Sequence, residues 1–362
     1  MDAPLARITD RIRAAAAAGT PLRIRGGGSK DFLGERLEGE LLVTTELAGI
    51  VSYEPSELVV TARAGTPLAQ LEQALAEQGQ CLPFEPPHFG PDATVGGMVA
   101  AGLSGPARAS VGAVRDYVLG LQLVNGRGEE LVFGGQVMKN VAGYDVSRLM
   151  AGAMGTLGLI TEVSLKVLPL APAEATLRFE LPQAEALRRL NAWGGQPLPL
   201  NASCWVEDAG VPTLFLRLRG AAAAVESACR ALGGERMDNA QAAGDWEACR
   251  EQRLPWFAEA GGRDLWRLSV PQTAPVLDLP EAPLVEWHGG QRWVRVAPQD
   301  GARVREAAVR AGGHATLFRT PRADATGRTT PPAPALAAIH ERLKQQFDPA
   351  GILNRGRLLP QT

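Results

Sequence analysis

Two glycine clusters early in the chain have the composition of anion-binding loops. In Gly26-Gly27-Gly28-Ser29-Lys30, glycines free to take positive φ let backbone N–H groups converge on an anion, while the serine adds a hydroxyl and the lysine a charge. A flexible hairpin turn accounts for this triple glycine equally well. In the second cluster a proline-rich approach leads to Thr94 and then Gly96-Gly97, which permits a helix N-terminus to face a phosphate.

A third glycine-rich stretch, residues 134–169, runs into a predicted strand. It contains six glycines, and from Leu159 to Val167 apolar residues then alternate with the rest. Glycine dense enough for backbone to approach a ligand, followed at once by a strand that anchors it, is typical of a loop-built cofactor site. We interpret this stretch as the back wall of a flavin site.

The side chains that could move a proton or neutralise an anion are few. A site that takes a proton from a bound acid requires a base for the proton and a cation for the anionic group. His88 is the one histidine in the motif region and is a weak candidate for that base, although such a histidine is more often a packed loop residue. Lys139 and Arg148 are suited either to neutralising a phosphate or substrate or to structural ion pairs. Asp145 is suited to capping a helix.

The elements that position these residues in the first half have mixed α/β character. An amphipathic helix is predicted near the N-terminus, with Leu5, Ile8, Ile12 and Ala15 on one face. A short strand at 22–25 leads into the first glycine cluster. Residues 119–133 are predicted to form a hairpin with Asn125-Gly126 at its turn.

Beyond residue 169 the chain changes character. A linker-like LPLAPAEA is followed by segments in the order strand, helix, strand, strand, helix, which is typical of a ferredoxin-like α+β sheet. All seven tryptophans lie in this half, and we expect core packing to explain most of them. Residues 320–335 are rich in proline and threonine and are predicted to form a loop.

Composition limits the possible classes of function. A chain of 362 residues is expected to form two domains at roughly 100 to 200 residues each. A net charge of -2 gives no basic field for nucleic acid or anionic lipid, and no apolar run is long enough to span a membrane. The four cysteines form no Cys-x-x-Cys pair, so neither a zinc site nor an iron–sulfur cluster is encoded, and we expect a reducing cytoplasm and no metal.

Taken together, the motifs resemble one known family. They occur in the order RGGGSK, PDATVGG, SVGAVRDYVLGLQLVNGRGEEL, KNVAGYD and GTLGLITEVSLKVLP. This order is similar to that of the FAD-binding fold of the vanillyl-alcohol oxidase type, also called PCMH-type. The segments FEPPHFG, GGQVMKNVAGYDVSRLM and FDPAGILNRGRL narrow the resemblance to the FAD-binding subunits of bacterial glycolate oxidases. The resemblance covers essentially the whole chain.

The resemblance implies that FAD is held mostly by backbone. It places one pyrophosphate loop at the first glycine cluster and another at the second, with the adenine and flavin ends lined by the third stretch. The implied cofactor-binding residues are Arg25, Gly26, Gly27, Gly28, Ser29, Lys30, Pro87, Thr94, Gly96, Gly97, Gly112, Arg115, Asp116, Lys139, Tyr144, Gly155, Leu157, Gly158 and Ile160.

Two departures from the family bear on chemistry. Some members attach the flavin through a histidine in the first loop, whereas Ser29 stands at the matching position, so the resemblance implies non-covalent FAD. Related catalytic flavoproteins also carry a histidine- and acid-rich segment that binds a metal and the substrate carboxylate. The histidines of the second half, His288, His314 and His340, lie in no such context.

The expected fold is α+β, with a two-subdomain PCMH-type FAD-binding domain at residues 1–170. We expect a ferredoxin-like cap domain to follow at residues 171–319. The rest of the chain is expected to form a flexible loop at 320–335 and a C-terminal segment at 336–362 that packs back on the FAD domain.

Three functions are compatible with the sequence. The first is an FAD-binding subunit of a glycolate oxidase, working with a catalytic FAD subunit and an iron–sulfur subunit and passing electrons to the latter. The others are a self-sufficient FAD-dependent 2-hydroxy acid dehydrogenase and a flavin-free structural subunit of the same complex. We favour the first, in the cytoplasm, with any contact to the inner membrane made through partners.

Overall fold

The computed structural model describes residues 3–36, 38–135, 145–258 and 261–358. Its contacts divide the chain into two compact units. The first unit is Met1–Leu103, Ala113–Pro169 and Pro331–Thr362, and the second is Ser104–Gly112 and Leu170–Thr330. Within the described residues, none of the helices has the length and apolar character that crossing a membrane requires.

The part of the chain up to Pro169 contains helices and strands. They are α1 (Ala3–Ala18), β1 (Leu22–Arg25), β2 (Glu40–Val43), β3 (Ile50–Glu54), β4 (Val59–Arg63), α2 (Leu68–Ala76), β5 (Gln80–Cys81), α3 (Val95–Ala101), α4 (Arg108–Val111), α5 (Val114–Tyr117), β6 (Val118–Val124), β7 (Glu130–Gly134), α6 (Val146–Leu149), β8 (Leu159–Lys166) and β9 (Leu168–Pro169).

Longer strands follow. They and their helices are β10 (Ala173–Glu180), α7 (Gln183–Gly194), β11 (Leu200–Asp208), β12 (Val211–Gly220), α8 (Ala222–Leu232), β13 (Glu235–Arg236), α9 (Asn239–Arg250), α10 (Pro255–Ala258), β14 (Asp264–Ser269), β15 (Leu284–Glu286), β16 (Gln291–Val296), α11 (Gly301–Arg310), β17 (His314–Arg319) and α12 (Pro334–Phe347).

The first unit is built on a five-stranded antiparallel sheet in the order β3-β4-β8-β6-β7. Helices α2 and α3 bury their apolar residues in the same hydrophobic cluster as β4, β6 and β8. A parallel pair, β1 and β2, forms a second small core with α1 and with Ile352 and Leu353 of the C-terminus. The predicted face of α1 is confirmed, since Ile8, Ile12 and Ala15 are buried.

The predicted hairpin is also confirmed. Strands β6 and β7 pair from Gly120 with Gly134 to Val124 with Glu130. Asn125 is buried at the turn, and its Oδ1 accepts hydrogen bonds from the backbone N–H groups of Arg127 and Glu129. An asparagine that bonds its own turn in this way fixes the register of the two strands.

The second unit is an eight-stranded antiparallel sheet in the order β13-β10-β12-β11-β15-β16-β14-β17. The predicted order of strand, helix, strand, strand, helix is confirmed by β10, α7, β11, β12 and α8. Helices α7 and α8 pack on this part of the sheet, and α11 contributes to a second cluster around Trp266. Six of the seven tryptophans are buried, so core packing does explain most of them. Together the two units give the expected α+β class.

Candidate functional site

The first glycine cluster follows β1 directly and packs against the second. A Cβ on Gly26 would overlap Thr94 Oγ1, and a Cβ on Gly27 would overlap the carbonyl oxygen of Asp92. Gly28 has a φ of +78°, which is a left-handed conformation that favours glycine. Gly26 and Gly27 are therefore required by the close approach of the Thr94 side chain and the Asp92 backbone, and Gly28 by the turn itself.

The second glycine cluster begins helix α3. Thr94 is the N-cap, and its Oγ1 accepts a hydrogen bond from Gly97 N at 3.2 Å. The N–H of Gly96 donates to Ala64 O at 2.7 Å, and a Cβ at Gly96 would lie 2.6 Å from Ala64 Cβ. Strand β4 and its following residue thus hold the start of α3 close to the first cluster.

The proline-rich loop at 85–90 is tied to the first cluster through Lys30. The ammonium of Lys30 donates to the carbonyl oxygen of His88 at 3.0 Å and to Ser29 Oγ at 3.3 Å, and it lies 5.7 Å from the ring centroid of Phe89. Glu85 and Phe89 have positive φ, which is costly for residues other than glycine, so this loop is locally strained. Pro87 is buried within it.

His88 is engaged by a carboxylate. Its Nε2 lies 2.8 Å from Glu72 Oε2 on α2, and the two side chains are 16% and 30% exposed. An imidazole paired with a carboxylate in this way is either a base that the carboxylate orients or a tether between loop and helix.

Residues 152–155 of the third stretch lie beside α3 and β1. The N–H groups of Gly152 and Met154 donate to Val99 O and Ala100 O at the end of α3. Gly155 has a φ of +73°, and a Cβ there would lie 3.5 Å from the Ile24 side chain. The side chains of Leu157 and Ile160 belong to the core of the sheet, and Ile160 lies opposite Leu123 in the pairing of β8 with β6. All three glycine-rich stretches are therefore brought together within the first unit.

The remaining predicted residues have different environments. Arg25 forms an exposed ion pair with Asp31. Asp116 Oδ2 accepts a hydrogen bond from Ala113 N at 2.8 Å, and both Asp116 and Arg115 are exposed on α5. Gly112 has a φ of +97° and is grouped with the second unit. Lys139 and Tyr144 lie outside the described residues. Asp145 caps α6 by accepting from Arg148 N, as predicted.

Sequence reasoning missed the part that C-terminal polar side chains play near these stretches. Asn354 and Arg357 are buried and hydrogen bond to backbone on either side of the first glycine cluster and before Gly155. The motif FDPAGILNRGRL was the available signal, but it does not reveal which backbone groups its side chains contact.

A second group of residues that sequence reasoning missed surrounds Trp287 in the second unit. The guanidinium carbons of Arg108 and Arg267 lie 4.4 and 5.1 Å from the Trp287 ring centroid. Burial and the neighbouring Arg108 lower the pKa of Arg267 to about 10. Both guanidinium groups are within the range of a cation–π contact with the indole, and Arg267 Nε also donates to Gln291 Oε1 at 2.6 Å.

His288 adjoins this group and is held at both ring nitrogens. Its Nδ1 lies 3.0 Å from Ser203 Oγ and its Nε2 lies 3.1 Å from Ser110 Oγ. Burial lowers the pKa of His288 to about 4, so the imidazole is neutral near pH 7. Trp287 and His288 both have a φ of 54°, and consecutive left-handed residues other than glycine are costly.

The second unit also contains a cavity of about 880 Å³ between the sheet and α9. Its lining includes the carboxylates of Glu207, Asp208 and Asp245, while its two arginines, Arg178 and Arg236, are each ion-paired. Burial and the nearby Asp208 raise the pKa of Asp245. This acidic lining disfavours a small anionic substrate.

Comparison with known proteins places these features in context. A family model described as an FAD binding domain matches residues 5–134. The glycolate oxidase subunit GlcE of Escherichia coli (strain K12) is 46% identical over 352 residues, which is 97% of this chain and 96% of that protein. The glycolate oxidase subunit GlcD of Bacillus subtilis (strain 168) is 32% identical over 139 residues, which is 38% of this chain and 29% of that protein.

A solved structure shows the same fold. The structure of an alkyldihydroxyacetonephosphate synthase superposes on this chain with a TM-score of 0.65 at 15% sequence identity. The superposition covers 97% of this chain and 75% of the synthase chain. Identity this low bears on the fold alone.

Proposed function

This chain belongs to the family of the glycolate oxidase subunit GlcE, and we propose that it is the FAD-binding subunit of a multi-subunit enzyme that oxidises glycolate to glyoxylate. The observation that carries the proposal is the packing of the three glycine-rich stretches against one another in the first unit. In this chain that packing excludes side chains at Gly26 and Gly27, two of the positions that we propose the cofactor approaches.

The residues present fit a dinucleotide. At Gly26 and Gly27 even a methyl group would overlap Thr94 and Asp92, so backbone is what the first cluster offers to a ligand. Lys30 adds a positive charge close by, held by Ser29 and the loop at His88. We propose that these groups and the backbone of Gly96, Gly97, Gly155 and Gly158 hold FAD.

The protein's part in the chemistry is to bind and orient the cofactor. FAD, when bound, supplies an acceptor for two electrons that can also pass them on singly. Ser29 offers no imidazole for a covalent bond, so we propose that the FAD is non-covalent. We propose that His88 anchors the proline-rich loop through its contact with Glu72, and we name no catalytic residue in this unit.

The electrons require a route out of this subunit. Among the described residues there is no group of three His, Cys, Asp or Glu side chains placed to hold a metal ion. We propose a catalytic FAD subunit related to GlcD and an iron–sulfur subunit as partners. We also propose a cytoplasmic location, with any membrane contact made by the partners.

The test is to purify this chain alone and together with its two candidate partners. We expect the isolated chain to carry a flavin absorbance band that is released into the supernatant by denaturation. Glycolate should leave that band oxidised in the isolated chain and should be turned over only by the full complex. Absence of the band would contradict the proposal. Bleaching of the band by glycolate in the isolated chain would favour a self-sufficient dehydrogenase instead.

A further inference from the structure

The C-terminal segment, residues 348–357, runs between the parts of the first unit that make up the proposed FAD site. Asn354 makes the most direct connection, because its side chain uses both ends of its amide. Asn354 Oδ1 accepts from Ile24 N at 2.8 Å, and Asn354 Nδ2 donates to Met154 O at 2.6 Å. Ile24 lies two residues before Gly26, and Met154 directly precedes Gly155. One buried amide therefore sets the spacing between β1 and the third stretch.

Both Gly155 and Asn354 are constrained at this contact. A Cβ at Gly155 would lie 2.7 Å from Asn354 Nδ2. Asn354 itself has a φ of 40°, a left-handed conformation that asparagine tolerates better than most residues. Its backbone continues the link, because Asn354 N donates to Leu22 O and Leu22 N donates to Ile352 O.

Arg357 fixes the other side of the first glycine cluster. Its Nη1 donates to Glu35 O at 3.0 Å, and its Nη2 donates to Asp31 O at 3.0 Å and lies 3.4 Å from Lys30 O. The backbone N–H of Glu35 in turn donates to Arg357 O at 3.1 Å. A planar guanidinium can serve several carbonyl groups at once, which an ammonium on a flexible stem does less well.

The segment is itself anchored at its start. Lys344 on α12 donates from Nζ to Thr156 O at 2.8 Å and to Leu353 O at 2.7 Å, and it pairs with Asp348 at 2.8 Å. Asp348 in turn accepts from the N–H groups of Ile352 and Leu353. Because all of these groups are buried, the position of Asn354 and Arg357 is closely determined.

We propose that Asn354 and Arg357 are positioning residues for FAD, acting through the backbone that flanks the first glycine cluster and the third stretch. The inference rests on the proposed function, since it requires that this chain binds FAD. A purely structural role would lower the stability of the apoprotein without selectively weakening FAD binding. Positioning instead requires that the FAD dissociation constant rise by more than in an equally destabilised control.

The experiment compares Asn354→Asp and Arg357→Lys with wild type. Asn354→Asp keeps the acceptor for Ile24 N but loses the donor to Met154 O. Arg357→Lys keeps the positive charge but loses the planar guanidinium that bonds several carbonyl groups. Matched controls are available in the second unit. Asn201 accepts from buried Arg217 at 2.6 Å, and fully buried Arg292 donates to Ala274 O and Pro275 O. Asn201→Leu, which removes the acceptor for Arg217, and Arg292→Lys should therefore disturb buried bonds outside the first unit.

Two readouts are needed: FAD dissociation constants of the apoproteins from quenching of flavin fluorescence, and apoprotein melting temperatures. We expect each C-terminal variant to weaken FAD binding about tenfold, or ~1.4 kcal/mol, and to alter the visible circular dichroism of the bound flavin. The controls should lower the melting temperature without either effect. Variants that melt earlier yet bind FAD as wild type does would overturn the inference. A wild-type apoprotein that binds no FAD would instead overturn the proposed function.

Discussion

At the scale of single residues, Trp287 and His288 have an unusual backbone conformation. Both are left-handed, and His288 is hydrogen bonded to two serines while burial keeps it neutral. Trp287 Nε1 also donates to Gly105 O, a residue 182 positions earlier in the chain. Backbone strain of this kind persists only where the surroundings fix it, and it is concentrated at functional sites. A lone histidine before two glycines gave no sign of this environment in the sequence.

The neutral His288 should make the protein sensitive to acid. Its pKa is about 4 in the fold and 6.5 ordinarily, so the unfolded chain takes up a proton between these values while the native state does not. Stability is therefore complete above about pH 6.5 and falls as the pH drops towards 4. Replacing His288 by glutamine, which can also bond the serines, should reduce the loss of unfolding free energy between pH 7 and 4.5 by about 2 kcal/mol.

Chemical denaturation of His288→Gln and wild type at the two pH values measures this difference. The pKa of His314 is also lowered, by burial and by Arg267, so part of the acid sensitivity should remain in the variant. Equal pH dependence in both proteins would show that His288 is accessible to protons in the native state.

At the scale of elements, local sequence signals predicted individual turns and caps well. They did not predict which elements contact one another. The hairpin turn at Asn125 and the cap at Asp145 depend on neighbours within a few residues, and both were predicted. For the glycine cluster at 26–28, the sequence did not distinguish a flexible turn from a ligand-binding loop. What decides its role is the approach of Asp92 and Thr94, which lie far away in the sequence.

That approach predicts a specific cost of substitution. In Gly27→Ala the added methyl group would overlap the Asp92 carbonyl, so the loop or the start of α3 must move. We expect a loss of about 2 kcal/mol or more in unfolding free energy, typical of overpacking, together with loss of FAD binding. Urea unfolding and flavin retention during purification measure the two effects.

Gly194→Ala is the control for that change. Gly194 is the last residue of α7, and nothing lies within 4 Å of a Cβ placed there. Alanine should leave stability unchanged or raise it slightly. A Gly27→Ala protein as stable as this control would mean that the two glycine clusters are not packed together as described.

For the molecule as a whole, the sequence indicated the family and the order of elements but not which segments belong together. Residues 104–112 lie between motifs of the FAD-binding half, yet they are grouped with the second unit. The eight-stranded sheet is also larger than its first five elements suggest, because β14 to β17 extend it. Such long-range pairings leave no periodic trace in a single sequence.

Accessibility of the four cysteines tests the packing of both units at once. Cys204 and Cys249 are buried in the second unit, while Cys81 and Cys229 are partly exposed. Hydrogen bonding with Cys204, burial and the Glu286 carboxylate raise the pKa of Cys249 well above its ordinary value, and burial raises that of Cys229. We expect a disulfide reagent at pH 8 to modify at most two thiols of the native protein, slowly, and all four in denaturant. Rapid native modification of three or four would contradict this packing.

The discontinuous course of the first unit has a consequence for biosynthesis. The chain leaves this unit at Pro169 and returns at Pro331, and the amide and guanidinium of Asn354 and Arg357 follow that return. Since a ribosome delivers a protein from its N-terminus, the first unit stays unfinished until Arg357 has been synthesised. A nascent chain that stalls before residue 354 would therefore lack the side chains that join β1 to the residues before Gly155.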